Sequence, residues 1–542
     1  MTSIAAPAVA PRYAPTGLDT APPQEPAPAL TKSEANAIAK EESKFTEFLV
    51  LLDDQANREV GKAFAMPVGD ERRQYVAKTL IDNMAKTQGP LWKVLDGLQA
   101  SGHVSERRGY TPLWIQNAIV VYGDETAESV MSSAAGVAQA IKSATHVLDT
   151  PGSHVDQLAG LSDAAIGAGA ALADLPVDIG GGAKKPSKSA KPNLANDPQW
   201  NLTRIGVDKA RADGLTGKGV TVGVIDTGLD VEHPFLLSKY RGYDASSGTR
   251  SDIGNWYDSV TTEKSPVPVD KGLHGTHVAG TILGEYGGVQ VGVAPDAKLV
   301  AARGLGEQGG TDGMLLSSFQ NMVAPRVPTP GSRPGSVRVV TAGPDIINNS
   351  WGSDDGTSIS YMNALRNMDA MGIINVFAAG NDGEAGRGTI GSPGSNPHII
   401  TVGAMDRKDK IATFSSRGPN PLPSENGDPV PFIAMPGVDI RSTIPGGELE
   451  AGWNGTSMAA PAGSGVMALI QQAAQEATGR KFDTTAMKEV LRRAAQDLGK
   501  PGIDDEFGHG VVVADNLREV VAGVAKDLGL ARPEPKAKAA TK

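Results

Sequence analysis

Short apolar runs alternate with helical segments throughout the second half of this 542-residue chain. The run at residues 220–225 is almost continuously apolar, which is typical of strands buried on both faces of a parallel sheet. Similar runs, each followed by a segment of helical spacing, occur at residues 298–302, 345–349, 373–378 and 398–402. This alternation predicts a parallel sheet flanked by helices, so we assign residues 198–530 to one domain of the α/β class.

Three stretches of this domain carry side chains that can act on a substrate. Asp226 follows the apolar run within VIDTG, His274 opens HGTHVAG, and Ser457 lies within GTSMAAP before a long helical run. In a parallel sheet the carboxyl ends of the strands form the site, which is where Asp226 stands. A carboxylate and an imidazole together can activate a serine hydroxyl as a nucleophile. Each of these side chains alone is more commonly a helix cap or a packed side chain.

The order Asp, His, Ser and the sequences around these residues resemble the subtilisin-like serine proteases, or subtilases, and among them the bacillopeptidase F type. The resemblance implies that Asp226, His274 and Ser457 form a catalytic triad. It also implies that Asn381, within FAAGNDG, donates a hydrogen bond to the oxyanion of the reaction. On this basis we expect a hydrolase, and specifically a serine endopeptidase.

The same resemblance implies which residues contact the substrate. Ser350, Trp351 and Gly352 match a segment that pairs with an extended peptide and forms one pocket wall. The opposite wall and the floor of the pocket are matched by Ala378, Ala379, Gly380 and Gly391. Pairing through the main chain is a general way to recognise peptides, so we expect polypeptide substrates with room for a large side chain above the floor.

Metal binding is an alternative explanation for the two histidines of HGTH, His274 and His277. The sequence shows no third ligand nearby and contains no cysteine, which disfavours a zinc site. Many subtilases bind calcium, but Phe235 stands where an acidic ligand is usual, and residues 285–290 lack the usual asparagines. We therefore predict no cofactor and assign no metal, with calcium left open.

Residues 44–150 show another order of elements: strand, helix, strand, strand, helix, strand. This order is typical of α+β ferredoxin-like domains, the fold of the propeptides that fold and inhibit subtilases. Residues 72–121 resemble such a propeptide, which implies an intramolecular inhibitor and a self-inhibited zymogen; an unrelated α/β module is the alternative. We place strands at 46–52, within 102–109, at 113–122 and at 145–149, and helices at 71–88, 91–98 and 125–142.

The remaining segments lack periodic apolar residues. We interpret residues 1–43 as a disordered Pro/Ala-rich N-terminus, 151–197 as a flexible linker open to proteolysis, and 531–542 as a disordered tail. No apolar run is long enough to span a bilayer, and a net charge of −10 argues against nucleic acid as a partner. Because the first residues lack a signal-peptide pattern, we predict secretion without a recognisable signal peptide, with a cytoplasmic enzyme as the alternative.

Two other interpretations compete with an active protease. One is a peptide-binding subtilase homologue without catalysis, against which the intact set of Asp226, His274, Asn381 and Ser457 argues. The other is a protein stored as a complex with its own N-terminal domain. Labelling of Ser457 by a fluorophosphonate tests the first interpretation, and cleavage between residues 145 and 200 tests the second.

Overall fold

The computed structural model describes residues 40–146, 148, 199–260, 264–324, 326–328, 337–339, 343–424 and 427–531. The predicted linker, the predicted N-terminal disorder up to residue 39 and the predicted tail from residue 532 lie outside these residues. Residues 40–43, which we assigned to the disordered stretch, belong to the first folded part, because Glu42 accepts a 2.8 Å hydrogen bond from Arg108.

The first part is a four-stranded antiparallel sheet packed with helices. Its strand order is β2-β3-β1-β4. Side chains alternate along β1, so that Phe48 and Val50 pack with the helices of this part while Leu49 joins a core shared with the second part. In chain order its elements are β1 (Thr46–Leu52), α1 (Asn57–Gly61), a 3-10 turn (Lys62–Ala65), α2 (Asp70–Ala100), β2 (Tyr110–Leu113), β3 (Ala118–Gly123), α3 (Glu125–Ser132) and β4 (Val137–Lys142).

The end of this part differs from the prediction. The helix predicted at 125–142 ends at Ser132, because Gly136 has a left-handed φ of 84° and the following residues pair with β1 as the fourth strand. The strand predicted at 145–149 does not close this sheet. Instead Thr145–His146, named β5, pairs antiparallel with a strand of the second part.

Three further boundaries were predicted wrongly. The helices at 71–88 and 91–98 form one helix, α2, which contains Pro90, since a proline removes only one hydrogen-bond donor from a helix that packing holds together. The strand predicted at 113–122 is interrupted by the turn at residues 114–117, where Asn117 has a φ of 46°. Its partner, β2, lies after the stretch at 102–109 rather than within it.

The second part contains the helices α4 to α11. In chain order they are α4 (Trp200–Arg204), α5 (Val207–Ala212), α6 (His274–Leu283), α7 (Asp312–Val323), α8 (Met362–Ala370), α9 (Thr456–Thr478), α10 (Thr484–Ala494) and α11 (Leu517–Asp527). Single 3-10 turns lie at Leu237–Lys239 and Gly383–Ala385.

Its strands are β6 (Thr221–Asp226), β7 (Tyr243–Asp244), β8 (Thr249–Arg250), β9 (Trp256–Asp258), β10 (Glu285–Tyr286), β11 (Val289–Gln290), β12 (Lys298–Arg303), β13 (Gly310–Thr311), β14 (Arg326–Pro328), β15 (Val337–Val339), β16 (Ile346–Asn349), β17 (Ile374–Ala378), β18 (Ile400–Met405), β19 (Ile433–Pro436), β20 (Ile440–Ile444), β21 (Glu448–Trp453), β22 (Ala495–Gln496) and β23 (Val511–Val512).

Nine of the described strands form one central sheet in the order β22-β23-β19-β18-β17-β16-β6-β12-β9. Every neighbouring pair is parallel except β22 with β23. The five apolar runs predicted as strands lie in β6, β12, β16, β17 and β18, which confirms the predicted α/β class.

Helix α9 is a long, largely buried helix next to this sheet. All its residues from Thr456 to Ala474 are buried, and they join the main apolar cluster with β16 to β19. Small residues allow this close approach, since a Cβ added at Gly465 would lie 2.5 Å from the Val293 side chain. The first turn of the helix contacts Ser350 and Asn381, which follow the carboxyl ends of β16 and β17.

The two parts share one apolar core. Phe319 of α7 and Leu365 of α8 lie in the same buried cluster as Leu49 of β1. Polar contacts cross the boundary as well: Oε1 of Gln320 accepts the main-chain N–H of Trp114 at 2.6 Å. Within the described residues, no helix combines the length and the apolar character needed to cross a membrane.

Candidate active site

Asp226 and His274 form a buried pair at the carboxyl end of β6. Asp226 is the last residue of β6, and His274 is the first residue of α6. Nδ1 of His274 lies 2.8 Å from Oδ1 of Asp226, and both side chains are almost completely buried. The main-chain N–H of Thr227 donates to the same oxygen at 2.7 Å. A proton on Nδ1 of His274 leaves Nε2 as the basic atom of the neutral ring.

Asp270 joins the two elements that carry this pair, and it was not predicted from the sequence. Its Oδ1 accepts from Oγ1 of Thr227 at 2.8 Å, and its Oδ2 accepts from N and Oγ1 of Thr276 at 2.8 and 2.6 Å. Thr227 in turn accepts the N–H of Gly275 at 2.9 Å. Burial raises the pKa of Asp270 in spite of these hydrogen bonds. The end of β6 and the first turn of α6 are thereby held together.

Ser457 is the second residue of α9, and Gly455 precedes the helix as its N-cap. Its Oγ donates a 3.1 Å hydrogen bond to the main-chain oxygen of Ser350, while Oγ of Ser350 donates to the main-chain oxygen of Ser457 at 3.0 Å. The N–H groups of a first helical turn have no partner within the helix, and the helix dipole favours negative charge there. The N–H of Ser457 is therefore a suitable donor to an oxyanion.

Asn381 lies in the loop after β17 and is oriented by the same end of α9. Its Oδ1 accepts the N–H of Thr456 at 2.9 Å and Oγ1 of Thr456 at 3.0 Å. Oγ1 of Thr456 also accepts the N–H of Gly380 at 3.2 Å. These contacts fix the orientation of the carboxamide relative to the first turn of α9.

The structure joins the predicted residues in two groups. Asp226 bonds to His274, while Ser457 and Asn381 are connected through α9. Nε2 of His274 is buried and has no hydrogen-bond partner among the described residues, and Oγ of Ser457 is directed to Ser350. No hydrogen bond joins the two groups among the described residues, and bonds of this kind commonly form only once a substrate is bound.

The predicted first wall of the substrate pocket begins at Ser350, which directly follows β16. The side chain of Trp351 is 2% exposed, and its Nε1 donates to the main-chain oxygen of Ile225 at 3.1 Å. The indole is therefore buried, with its nitrogen bonded to β6 and its ring in contact with His146 of the first part. After Gly352, the N–H of Ser353 donates to the oxygen of Ser392 at 2.9 Å.

The predicted second wall follows the end of β17. Ala378 and Ala379 are buried, and Gly380 has a left-handed φ of 101° that favours glycine. At the predicted floor, a Cβ added to Gly391 would lie 1.9 Å from the main-chain oxygen of Ser353. The close approach of the two chain segments thus requires a glycine at position 391, whatever side chain a substrate presents.

A segment of the first part lies beside these walls. β5 pairs antiparallel with β13, with His146 opposite Gly310 and Thr145 opposite Thr311. This pairing has the same form as the addition of an extended peptide to the edge of a strand. The side chain of His146 contacts the ring of Trp351 on the first wall, with ring centroids 5.6 Å apart.

The second histidine of HGTH is not placed for metal binding. His277 is buried, and its ring is stacked on Trp453 with centroids 4.3 Å apart and 17° between the planes. Burial, and then the neighbouring His274, lower the pKa of His277 well below its ordinary value. In the part of the chain that the structure describes, no group of three or more His, Cys, Asp or Glu residues could hold a metal ion.

A parallel α/β sheet, a buried Asp–His pair at a strand end and a serine at the start of the central helix are typical of hydrolases that use an activated serine. The chain belongs to the subtilase family: the model of the Subtilase family matches residues 217–510, more than half of the chain. This confirms the family predicted from the sequence.

Curated relatives support the same assignment. The chain is 37% identical over 358 residues to Bacillopeptidase F of Bacillus subtilis, covering 64% of this chain and 23% of that protein. It is 31% identical to the Minor extracellular protease Epr of the same organism, with 58% and 41% covered. Identity to Subtilisin E of B. subtilis is 32%, with 51% and 61% covered. The chain thus spans less than two thirds of the length of each of these relatives.

Proposed function

We propose that this protein is a serine endopeptidase with Ser457 as nucleophile, His274 as general base and Asp226 as the residue that orients the base. The observation that carries the proposal is the 2.8 Å bond between Nδ1 of His274 and Oδ1 of Asp226. This bond directs the basic Nε2 away from the carboxylate, to the side from which a serine proton could be taken.

In the proposed reaction, substrate binding frees Oγ of Ser457 from Ser350, and Nε2 of His274 takes its proton. Oγ attacks the carbonyl carbon of the peptide, and the charge of buried Asp226 stabilises the imidazolium. His274 then returns the proton to the leaving amine, and an acyl-enzyme forms on Ser457. Water activated by the same histidine hydrolyses this ester, which restores the hydroxyl.

The negative oxygen of the tetrahedral intermediate requires two fixed donors. We assign these to the carboxamide nitrogen of Asn381 and the main-chain N–H of Ser457. Support comes from the two hydrogen bonds of Thr456 to Oδ1 of Asn381, because they fix the carboxamide before the substrate arrives. Donors that are already oriented lose no energy to reorganisation during the reaction.

We propose that extended polypeptides bind through main-chain hydrogen bonds between two segments. One segment is Ser350 to Gly352, and the other is β13. Ala378, Ala379, Gly380 and Gly391 would line the pocket for the side chain before the scissile bond. The support is the antiparallel pairing of β5 with β13, since it is the geometry that a peptide would adopt there.

We further propose that residues 44–150 act as an intramolecular inhibitor, so that the protein is made as a zymogen. Besides β5, this part supplies Glu47, whose Oε1 accepts the N–H of Gly313 at 3.0 Å and whose Oε2 accepts Oγ1 of Thr311 at 2.9 Å. A carboxylate at the start of α7 is favoured by the helix dipole. The chain segment that occupies the cleft would have to leave before an external substrate could bind.

No cofactor or metal has a place in this proposal, because the groups named above account for each proton and charge. We propose secretion because one relative is a minor extracellular protease. A cytoplasmic enzyme is the alternative, and cell fractionation of the natural host would distinguish the two.

The decisive experiment compares the full chain with Ser457→Ala and with the exposed control Ser246→Ala. We expect a fluorophosphonate to label the unchanged chain and the control but not Ser457→Ala. We also expect N-terminal sequencing to find cleavage between residues 145 and 200 only in the two labelled proteins. Absence of labelling would support a non-catalytic homologue, and identical uncleaved products from all three would support a stored complex.

A further inference from the structure

His146 fills a closed pocket of the second part. Its side chain and that of Asp312 are 2% and 1% exposed, and Nε2 of His146 lies 2.6 Å from Oδ1 of Asp312. The imidazole ring also meets the rings of Trp351 and Tyr361 edge-on, with centroids 5.6 and 5.4 Å apart. The imidazole of His146 is therefore surrounded by the carboxylate of Asp312 and by the rings of Trp351 and Tyr361.

Asp312 also binds the main chain of the inserted segment. Its Oδ2 accepts the N–H of Ala144 at 3.1 Å, and its own N–H donates to the oxygen of Ala144 at 3.1 Å. Asp312 is the first residue of α7, directly after the N-cap Thr311. The helix dipole stabilises its negative charge there, so the carboxylate is positioned by α7 itself rather than by the inserted segment.

This pocket adjoins the proposed catalytic centre. Trp351 follows Ser350, whose main-chain oxygen accepts Oγ of Ser457. The indole Nε1 of Trp351 donates to the oxygen of Ile225, the residue before Asp226. A peptide paired with β13 would therefore direct one of its side chains to the place of His146.

Removal of the first part would take His146 and the N–H of Ala144 away from the carboxylate of Asp312. An ionised carboxylate makes stronger hydrogen bonds than a neutral acceptor, so an incoming peptide that supplies a donor at this place is favoured. The edge-on walls of Trp351 and Tyr361 suit a flat ring, because aromatic pairs prefer this arrangement.

We propose that the pocket formed by Asp312, Trp351 and Tyr361 is a specificity site for histidine in polypeptide substrates. The site recognises a histidine at one fixed position on the amino-terminal side of the scissile bond. Asp312 is the residue that determines this preference. The inference rests on the proposed function, since it requires that Ser457 cleaves peptides bound along β13.

The test uses the processed enzyme obtained from the full chain and two internally quenched peptides. One has the sequence of residues 139–153, and the other differs only by alanine in place of His146. Because hydrogen bonds to charged groups are stronger than neutral ones, we expect kcat/KM to be about tenfold higher for the histidine peptide. In Asp312→Asn we expect this ratio to fall close to one, whereas in the exposed control Asp208→Asn it is unchanged.

The ratio is the informative quantity, because Asp312 also holds the main chain and its loss lowers kcat/KM for both peptides. Asp312→Ser serves as a second variant if the asparagine protein does not fold, and the ratio in the unchanged enzyme is a test by itself. Equal cleavage of the two peptides by the unchanged enzyme, or an unaltered ratio in both variants, would overturn the histidine site alone. Failure to cleave either peptide would overturn the proposed function and the site with it.

Discussion

The main-chain N–H of Thr456 donates a 2.9 Å hydrogen bond to Oδ1 of Asn381, the residue proposed to stabilise the oxyanion. The carboxamide is thus oriented by the helix that also carries Ser457. This arrangement couples the nucleophile and its electrostatic support to one rigid element, so a shift of α9 would move both together.

Replacement of Asn381 by alanine should therefore lower kcat and leave KM almost unchanged. The expected decrease in kcat is about 10²-fold to 10³-fold, as for the removal of one such oxyanion donor from a subtilisin. Steady-state kinetics on a peptide substrate measure kcat and KM, with Asn516→Ala as a control at an exposed position. A rise in KM at constant kcat would instead assign Asn381 to substrate binding.

The pairing of Asp226 with His274 leads to a second prediction. In Asp226→Asn the amide can donate to Nδ1, which moves the proton of the neutral ring to Nε2 and removes the base. For a triad of this type the change lowers kcat by about 10⁴. Burst kinetics with an active-site titrant would measure it, and the exposed variant Asp296→Asn is the control. Activity within a factor of about ten of the unchanged enzyme would contradict the assigned role.

Arg72 offers a test of inhibition by the first part. Its side chain is 1% exposed, its Nε donates to the oxygen of Ala370 at 2.7 Å, and Nη2 donates to the oxygen of Asp369 at 3.2 Å. Loss of one partner from a buried charged contact costs about 2 to 5 kcal/mol. We therefore expect Arg72→Ala to raise the initial peptidase rate of the freshly purified full chain at least tenfold.

Lys78→Ala is the matched control for Arg72, because Lys78 lies on the same helix and its side chain is exposed. Its ion pair with Asp82 is at the surface, where such pairs contribute little. Equal initial rates in Arg72→Ala and the unchanged chain would argue that Arg72 does not contribute to inhibition.

His277 predicts how stability depends on pH. Burial lowers its pKa in the folded state, whereas the unfolded chain binds a proton near the ordinary pKa of 6.5. The unfolded state therefore carries more protons at low pH, and stability falls as pH decreases below that value. Between about pH 7.5 and about pH 5.5, this one group lowers the free energy of unfolding by about 1.4 kcal/mol.

The measurement is urea unfolding at both pH values in a Ser457→Ala background, which prevents self-cleavage. His277→Phe keeps a ring against Trp453 but cannot be protonated. The loss of unfolding free energy between the two pH values should therefore be about 1.4 kcal/mol smaller in His277→Phe than in the protein with His277. An identical pH dependence in the two proteins would show that His277 is protonated in the folded state or already neutral in the unfolded state.

The region where we left calcium open gives a fifth prediction. Nη2 of Arg211 lies 2.7 Å from Oε1 of Glu285, and Nζ of Lys239 lies 3.6 Å from Oε2 of the same residue. Because these cations neutralise the carboxylate of β10, EDTA should shift the thermal midpoint by less than about 2 °C. Arg211→Ala should lower the free energy of unfolding by less than about 1 kcal/mol, as for other exposed pairs. A large stabilisation by added calcium would show that a metal binds.

The central strands and the proposed site could be predicted because their patterns are local. The run that ends at Asp226 is apolar because β6 is covered on both faces. A polar side chain such as the carboxylate of Asp226 is therefore found at the end of the strand and not within it. Trp351 was harder to interpret, because its position in the sequence indicates the substrate wall while its side chain packs in the core. Asp270 was missed because its role depends on Thr227, which is distant along the chain.

The errors in the first part arise from contacts that local patterns do not contain. Residues 134–142 have the composition of a helix, but pairing with β1 makes Val137–Lys142 a strand. The glycine at 136 was a local signal for this break, with its φ of 84°. β5 could not be anticipated as a partner of β13, because the two are separated by more than 160 residues of sequence.

The glycine at position 391, the proposed floor of the substrate pocket, also limits how this protein can be engineered. Protein engineers often randomise a pocket floor to change which side chains a protease accepts. Here any larger residue would first collide with the carbonyl of Ser353, only 1.9 Å from its added carbon. A directed-evolution library at this codon would mainly return misfolded clones, and new selectivity should be sought at positions whose neighbours are side chains.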